Sequence, residues 1–259
     1  MDLKLTDKIA LVSGSTAGIG LEIARTLAQE GARVILTGRN QTRIDAAVAE
    51  IGGRATGILA DVTTPGGTAE VIAAHPDVDI LVNNLGIYES KPFADISDAD
   101  WMTYFEVNVL SGVRLSRHYF PRMLAKKAGR VIFVSSETGL AVDPAMIHYA
   151  MTKTAQLSIA RGLAGLTRGT QVTVNSVMPG PTRSEGIVDF LKSVSSNPEA
   201  TGEEAEAEFF AGPRSGSLLQ RMIDPEEIAS LVAYLASPLS AATNGAAIRV
   251  EGGLINALA

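Results

Sequence analysis

The chain has 259 residues, with 22 lysines and arginines against 28 aspartates and glutamates, for a net charge of −6. Hydrophobic residues make up 46% and charged residues 19%, which excludes a disordered chain; at roughly 150 residues per domain, the length fits one large domain or two small ones. The absence of cysteine removes disulfides, thiolate metal sites and a cysteine nucleophile, and an acidic chain without a dense basic run is a poor general binder of nucleic acid.

His75, His118 and His148 lie too far apart for a histidine metal motif. The N-terminal segment has no signal-peptide layout, and no apolar run is long enough to cross a membrane. The expectation is a cytoplasmic protein with no membrane partner.

Apolar strands alternate with amphipathic helices. Ile9–Val12 is the first strand, followed by Gly14-Ser15-Thr16-Ala17-Gly18-Ile19-Gly20 and a helix marked by Ile23, Leu27 and Ala28, which Gly31 ends. A glycine turn between strand and helix lets a pyrophosphate approach the backbone at the helix N-terminus. Gly14, Ser15, Thr16, Gly18, Ile19 and Gly20 are therefore candidate cofactor-binding residues. Val34–Thr37 is the second strand. At its end, where an acid would hold a ribose 2′-hydroxyl, stands Arg39, with no acid between Glu30 and Asp45. A guanidinium suits a 2′-phosphate, so NADP(H) is expected over NAD(H), which stays possible.

A helix at Arg43–Ile51 follows. Further strands are expected at Thr56–Ala60, Ile80–Asn83, Arg130–Ser135, Gln171–Val177 and Ala246–Val250. This alternation predicts an α/β fold: a doubly wound, Rossmann-like parallel sheet of about seven strands. Between about Thr182 and Gln220 no apolar strand appears, which predicts a substrate lid inserted into a single domain spanning 1–259. Asp224-Pro225-Glu226-Glu227 then opens a helix with N-cap, N1 and N3 signals.

Tyr149 and Lys153 are spaced i, i+4, on one helix face, and Ser136 ends an apolar strand thirteen residues before the tyrosine. Together with the glycine turn, this pattern resembles the short-chain dehydrogenase/reductase family, with a close likeness to 3-oxoacyl-acyl-carrier-protein reductases. Asp61-Val62, Asn83-Asn84-Leu85-Gly86, Asn108, Pro179-Gly180 and Glu251-Gly252-Gly253 resemble further family motifs. The likeness runs from Lys8 to Gly253. It implies that Asp61, Val62, Asn84, Gly86, Pro179, Gly180, Tyr149 and Lys153 contact cofactor, with Thr182 or Ser184 meeting the nicotinamide carboxamide. Two residues depart from the family pattern. Leu85 replaces an alanine and could crowd the cofactor face, and Ser184 replaces a threonine.

The implied reaction is hydride transfer between nicotinamide and a ketone or secondary alcohol. Tyr149 would be general acid or base, with Lys153 lowering its pKa. Ser136 would donate to the substrate oxygen, with Ser135 as a rival for that role. In the family, the residue matching Asn108 holds a water that links the lysine to solvent. His148 points about 100° away from Tyr149 around the helix and reads as structural.

Met178, Ile187, Phe190 and Leu191 could line an apolar pocket that Phe209-Phe210 closes, or could only pack the lid. Glu203, Glu204, Glu206 and Glu208 read as a solvated helix face. Arg183 is a candidate for attracting an anionic group. A small-molecule carbonyl or alcohol is the expected partner. A carrier-protein substrate would favour a basic patch, for which Arg114, Arg117, Arg122, Lys126, Lys127 and Arg130 are candidates. The resemblance also implies a homotetramer built on the stretches Trp101–Met123 and Ala150–Arg168. The competing readings are a non-catalytic dinucleotide-binding regulator, and a lyase or epimerase of the related extended fold, which the length and glycine spacing disfavour.

Overall fold

Side chains alternate across each strand, and in this chain both alternating sets are apolar. A computed structural model describes residues 1–184, 187, 191, 195–197 and 199–258. Seven strands form one parallel sheet in the order β3-β2-β1-β4-β5-β6-β7. They are β1 (Ile9–Val12), β2 (Arg33–Gly38), β3 (Ala55–Leu59), β4 (Ile80–Asn83), β5 (Ala128–Val134), β6 (Gln171–Pro179) and β7 (Ala247–Val250). β1 and β4 have the expected bounds, and the other strands shift by one or two residues at their ends. Register is continuous through the centre: Ala10 faces Val34 on β2 and Ile80 on β4.

The helices are α1 (Gly18–Gln29), α2 (Gln41–Ile51), α3 (Pro65–Ala74), α4 (Asp98–Phe105), α5 (Ser111–Lys126), α6 (Ile147–Gly165), α7 (Gly202–Ala211) and α8 (Pro225–Ala236), and both faces of the sheet are covered by helices. Ala10, Val12, Leu36, Val82 and Val134 point to one side. They pack with Ile23 and Leu27 of α1 and with Ile228 and Val232 of α8. Leu11, Leu81, Val131 and Phe133 point to the other side, against Leu115 and Tyr119 of α5 and Ala160 of α6. Each such large side chain contributes about 1.5–3 kcal/mol when fully buried. The chain reverses its winding between β1 and β4, and the crevice above their carboxyl ends is where a doubly wound sheet binds ligands.

Local chemistry sets the helix starts. Asn40 caps α2 by accepting from the Arg43 amide at 3.1 Å. At α8, Pro225 occupies the first turn and the Glu227 carboxylate accepts from the Asp224 amide at 2.9 Å. The expected stretch from Trp101 to Met123 is not one regular helix. A π-helical turn at Glu106–Leu110 separates α4 from α5.

The insertion after β6 holds its own apolar cluster of Ile187, Leu191, Ala200, Ala205, Phe209, Phe210 and Met222. Its glutamates are not a uniformly solvated face. Glu203 and Glu204 are exposed, but Glu206 accepts from the Met222 amide at 3.0 Å and Glu208 from the Ser195 hydroxyl at 2.5 Å. Arg183 pairs with Glu206 and Asp224 at 3.1 and 3.3 Å, so it already has anionic partners. Met178 is buried within β6. Phe190 lies outside the described residues.

Candidate active site

One cavity of about 400 Å³ opens above the sheet crevice, between the glycine turn, the ends of β4, β5 and β6, and the insertion. That is within the range of small-molecule sites. Gly14, Gly18, Ile19 and Gly20 line one wall, and Asn84 and Gly86 line the floor. Ser136, Tyr149 and Lys153 form the opposite wall, and Pro179, Gly180, Thr182 and Ser184 the side towards the insertion.

The glycine turn is shaped by close approach. Gly14 and Gly18 have φ of +62° and +55°, conformations that L side chains rarely adopt. At Gly20 a Cβ would lie 2.4 Å from both Asn84 Nδ2 and the Gly14 carbonyl oxygen. Asn84 Nδ2 donates to the carbonyls of Ser13 and Gly14 at 3.1 and 3.0 Å, which ties the two crevice loops together. Leu85 is accommodated because Gly14 has no Cβ, which would sit 3.0 Å from Leu85 Cδ1. The N-terminus of α1 has no side-chain cap and no acid in its first turn. Its amides and the open face at Gly18 fit the phosphates of a dinucleotide.

Several expected cofactor residues do not line this cavity. Ser15 is fully buried, donates to the Val12 carbonyl at 2.7 Å and accepts from the Thr37 amide at 3.2 Å. Its side chain braces the turn from behind. Thr16 packs towards Gly38, where a Cβ would lie 2.7 Å from its methyl group. Asp61 accepts from the Thr63 amide and hydroxyl at 3.0 and 2.6 Å, and Val62 belongs to the core. Arg39 is exposed just after β2.

Ser136, Tyr149 and Lys153 meet because β5 ends at the cavity and α6 runs beneath it. Ser135 turns away and donates to the Lys153 carbonyl at 2.9 Å, which leaves Ser136 as the hydroxyl at the site. Lys153 Nζ donates to the Val134 carbonyl at 2.9 Å and lies 5.5 Å from the Tyr149 ring centroid. Burial brings the Lys153 ammonium down to about 8, with Glu137 opposing the shift. Burial also pushes the Tyr149 phenol above its ordinary value. The Glu137 carboxylate adds to that rise and the contact with Ser136 opposes it. The net direction is thus upward, set by burial and the Glu137 charge. The ammonium is held by a carbonyl and sits over the ring, and desolvation dominates.

Asn108 sits in the π-helical turn, as such turns often do at functional sites. Its side chain accepts from the Ile87 amide at 2.8 Å and donates to the Ile87 carbonyl and the Thr152 hydroxyl, both at 3.0 Å. Its backbone carbonyl accepts from Gln156 Nε2 at 2.6 Å, and Gln156 Oε1 is 3.4 Å from Lys153 Nζ. Gln156 thus links Asn108 directly to the lysine. It is not among the residues expected from sequence, although its position three residues after Lys153 puts it on the same helix face. Nor are Glu137 and Arg214, both of which line the cavity. His148 is fully buried against Tyr104, with ring centroids 4.1 Å apart.

Of the expected apolar residues, Ile187 and Phe209 line the cavity, whereas Leu191 and Phe210 pack within the insertion. The expected basic patch is largely committed elsewhere. Arg130 is buried, with Nη1 donating to the Gln171 carbonyl at 2.7 Å. Arg114 bonds the Thr63 carbonyl at 2.7 Å and pairs with Glu106. Arg122 and Lys126 share Asp77 at 2.9 and 2.8 Å. Arg117 and Lys127 are exposed. Among the described residues, no group of three or more histidines and carboxylates could hold a metal ion, and no helix is long and apolar enough to cross a membrane.

Comparison with known proteins places this geometry. The family model for short chain dehydrogenases matches residues 8–192. An uncharacterized oxidoreductase of Bacillus subtilis, YvaG, is 49% identical, covering 100% of both chains. The 3-oxoacyl-[acyl-carrier-protein] reductase FabG of Vibrio cholerae is 33% identical, covering 97% of this chain and 99% of its own. Among solved structures, the L-sorbose reductase of Gluconobacter frateurii, complexed with NADPH and L-sorbose, superposes with a TM-score of 0.92 at 28% identity, covering 100% of both chains.

Proposed function

The chain belongs to the short-chain dehydrogenase family, and from that premise we propose that it is an NADP(H)-dependent oxidoreductase acting on a ketone or secondary alcohol. The observation that carries this reading is the convergence of Ser136, Tyr149 and Lys153 on one cavity whose opposite wall is the glycine turn. NADP(H), when bound, supplies or accepts the hydride.

The residues of the chain do the rest. Gly14, Gly18 and Gly20 would admit the pyrophosphate, and Asn84, Gly86, Pro179 and Gly180 would flank the nicotinamide end, with Thr182 and Ser184 in reach of its carboxamide. Asp61 and Val62 would shape the turn beside the adenosine half. Arg39 would meet the 2′-phosphate. It is exposed, makes no hydrogen bond or ion pair among the described residues, and has no acid nearby in sequence. The NADPH held by the L-sorbose reductase supports the same preference.

In reduction, Ser136 Oγ donates to the carbonyl oxygen and Tyr149 passes its proton to it. A phenol held protonated by burial suits that direction. Lys153, steadied by Gln156 and Asn108, stabilises the phenolate left behind. Ile187 and Phe209, on the inserted lid, exclude water. Replacing Tyr149 with Phe tests the reading: carbonyl-dependent oxidation of NADPH should fall by about 10²–10⁴-fold.

Two cations of the expected carrier-protein patch, Arg114 and Arg130, are held by internal partners instead. The reading also includes a homotetramer, which rests on the family resemblance.

A further inference from the structure

Ser136 is the hydroxyl expected to hold the substrate oxygen, yet its one proton is already committed. It accepts from the Thr138 amide at 3.2 Å and from the Thr138 hydroxyl at 3.0 Å. It donates its single proton to Glu137 Oε2 at 2.5 Å. A hydroxyl has a single proton to donate, so Ser136 holds none free for a carbonyl oxygen. To bind a carbonyl, Ser136 must turn its proton away from Glu137. That strands a carboxylate that is 6% exposed, and a buried acceptor without its donor is strongly disfavoured.

A plain ketone offers no remedy, because the carbons beside its carbonyl carry only hydrogen or carbon. A ketone with a hydroxyl on the adjacent carbon does: its carbonyl takes the Ser136 proton while its hydroxyl replaces that proton on Glu137.

A second group in the same cavity points the same way. Arg214 reaches in from the insertion and lies 5.6 Å from the Phe209 ring centroid. Its Nη2 donates to Asp143 Oδ2 at 2.9 Å and its Nη1 to the Pro213 carbonyl at 3.3 Å. Its Nε is buried without a hydrogen-bond partner among the described residues. Arg214 thus braces the insertion side of the cavity, and its charge favours the ionised form of Glu137. Burial raises the Glu137 carboxyl, while the Ser136 bond and the Arg214 charge oppose that.

We propose that the substrate is a ketone bearing a hydroxyl on the carbon next to its carbonyl, with Glu137 accepting from that hydroxyl. The inference rests on the reductase reading of the same site and narrows it to one substrate class.

The test uses the full chain with NADPH and two probes that differ by one hydroxyl, 1-hydroxy-2-butanone and 2-butanone. We expect kcat/KM to favour the hydroxyketone by on the order of 100-fold or more, because a site built to bond a hydroxyl rejects the analogue lacking it. In Glu137→Ala that ratio should collapse to below about tenfold. Glu137→Gln, which keeps the side-chain volume, guards against loss of folding and should also lower the ratio. A purely structural Glu137 would slow both probes alike and leave the ratio intact. A wild-type ratio near one, or a ratio that survives in both variants, overturns the inference while leaving the reductase reading standing. Turnover of neither ketone by a chain that binds NADPH overturns the inference, since the hydroxyketone carries the group it requires; the reductase reading falls only if a broad panel of ketones is refused as well.

Discussion

Tyr149 keeps its proton because it is buried beside a carboxylate, and Lys153 holds its charge less firmly for the same reason of desolvation. Lys153 sits at about 8, so its ammonium is lost as the pH rises through that value. We expect kcat/KM for NADPH to fall with a single apparent pKa near 8. A fall only near pH 10, ordinary for an exposed lysine, would contradict this placement. In the proposed reading Arg39 meets the other end of the dinucleotide. Arg39→Ala should weaken NADPH binding by about 10–100-fold and leave NADH nearly unaffected, as measured by titration, since hydrogen bonds to a charged group contribute about 1.5–3 kcal/mol. Equal losses for both nucleotides would sink the assignment. The meeting of Ser136, Tyr149 and Lys153 was readable in the sequence because spacing and a strand end locate them. Arg214 was not, because only the folded insertion brings it to a site 65 residues away from Tyr149 in sequence. Glu137 was adjacent to Ser136 throughout, but nothing in the sequence says that its carboxylate folds inward.

At the scale of elements, the turn from β1 into α1 depends on an absent Cβ. Gly20→Ala would force a methyl group against Asn84 Nδ2 and the Gly14 carbonyl, breaking the bonds that join the two crevice loops. A cost of about 1–3 kcal/mol in unfolding free energy is expected, together with weakened NADPH binding. An alanine variant as stable and as tight as the parent would refute the role given to that contact. On α6, His148 is fully buried and neither ring nitrogen has a hydrogen-bond partner among the described residues. Burial lowers its pKa from 6.5. The unfolded chain therefore binds a proton that the folded chain resists, and stability contributed above about pH 6.5 is lost as the pH falls below it. His148→Leu should lessen the drop in thermal stability on acidification below pH 6.5; an identical drop would show that other groups cause it. The π-helical turn at Glu106–Leu110 was invisible in the sequence, since an amphipathic pattern reads straight through a one-residue bulge.

At the scale of the whole molecule, the two-sided sheet follows from strands whose two alternating faces are both apolar, as in Ala10 and Val12 against Leu11. That pattern and the strand–helix alternation made the doubly wound fold legible. The insertion was located by its lack of an apolar strand, but not its internal bonding. The contacts of Glu206 with Arg183 and Met222 join residues that no periodicity connects. The same limit explains why the basic run Arg114–Arg130 read as a surface patch, when the fold turns Arg130 inward and pairs Arg122 and Lys126 with Asp77. The proposed homotetramer predicts a sedimentation mass four times the 27.1 kDa of one chain. A species at the single-chain mass would contradict it.

The most direct measurement is carbonyl-dependent oxidation of NADPH by the parent chain and by Tyr149→Phe, with NADPH binding measured on both. The account predicts turnover by the parent, a loss of about 10²–10⁴-fold in the variant, and binding of NADPH by both. NADPH binding without turnover of any ketone, or a variant as active as its parent, would contradict it.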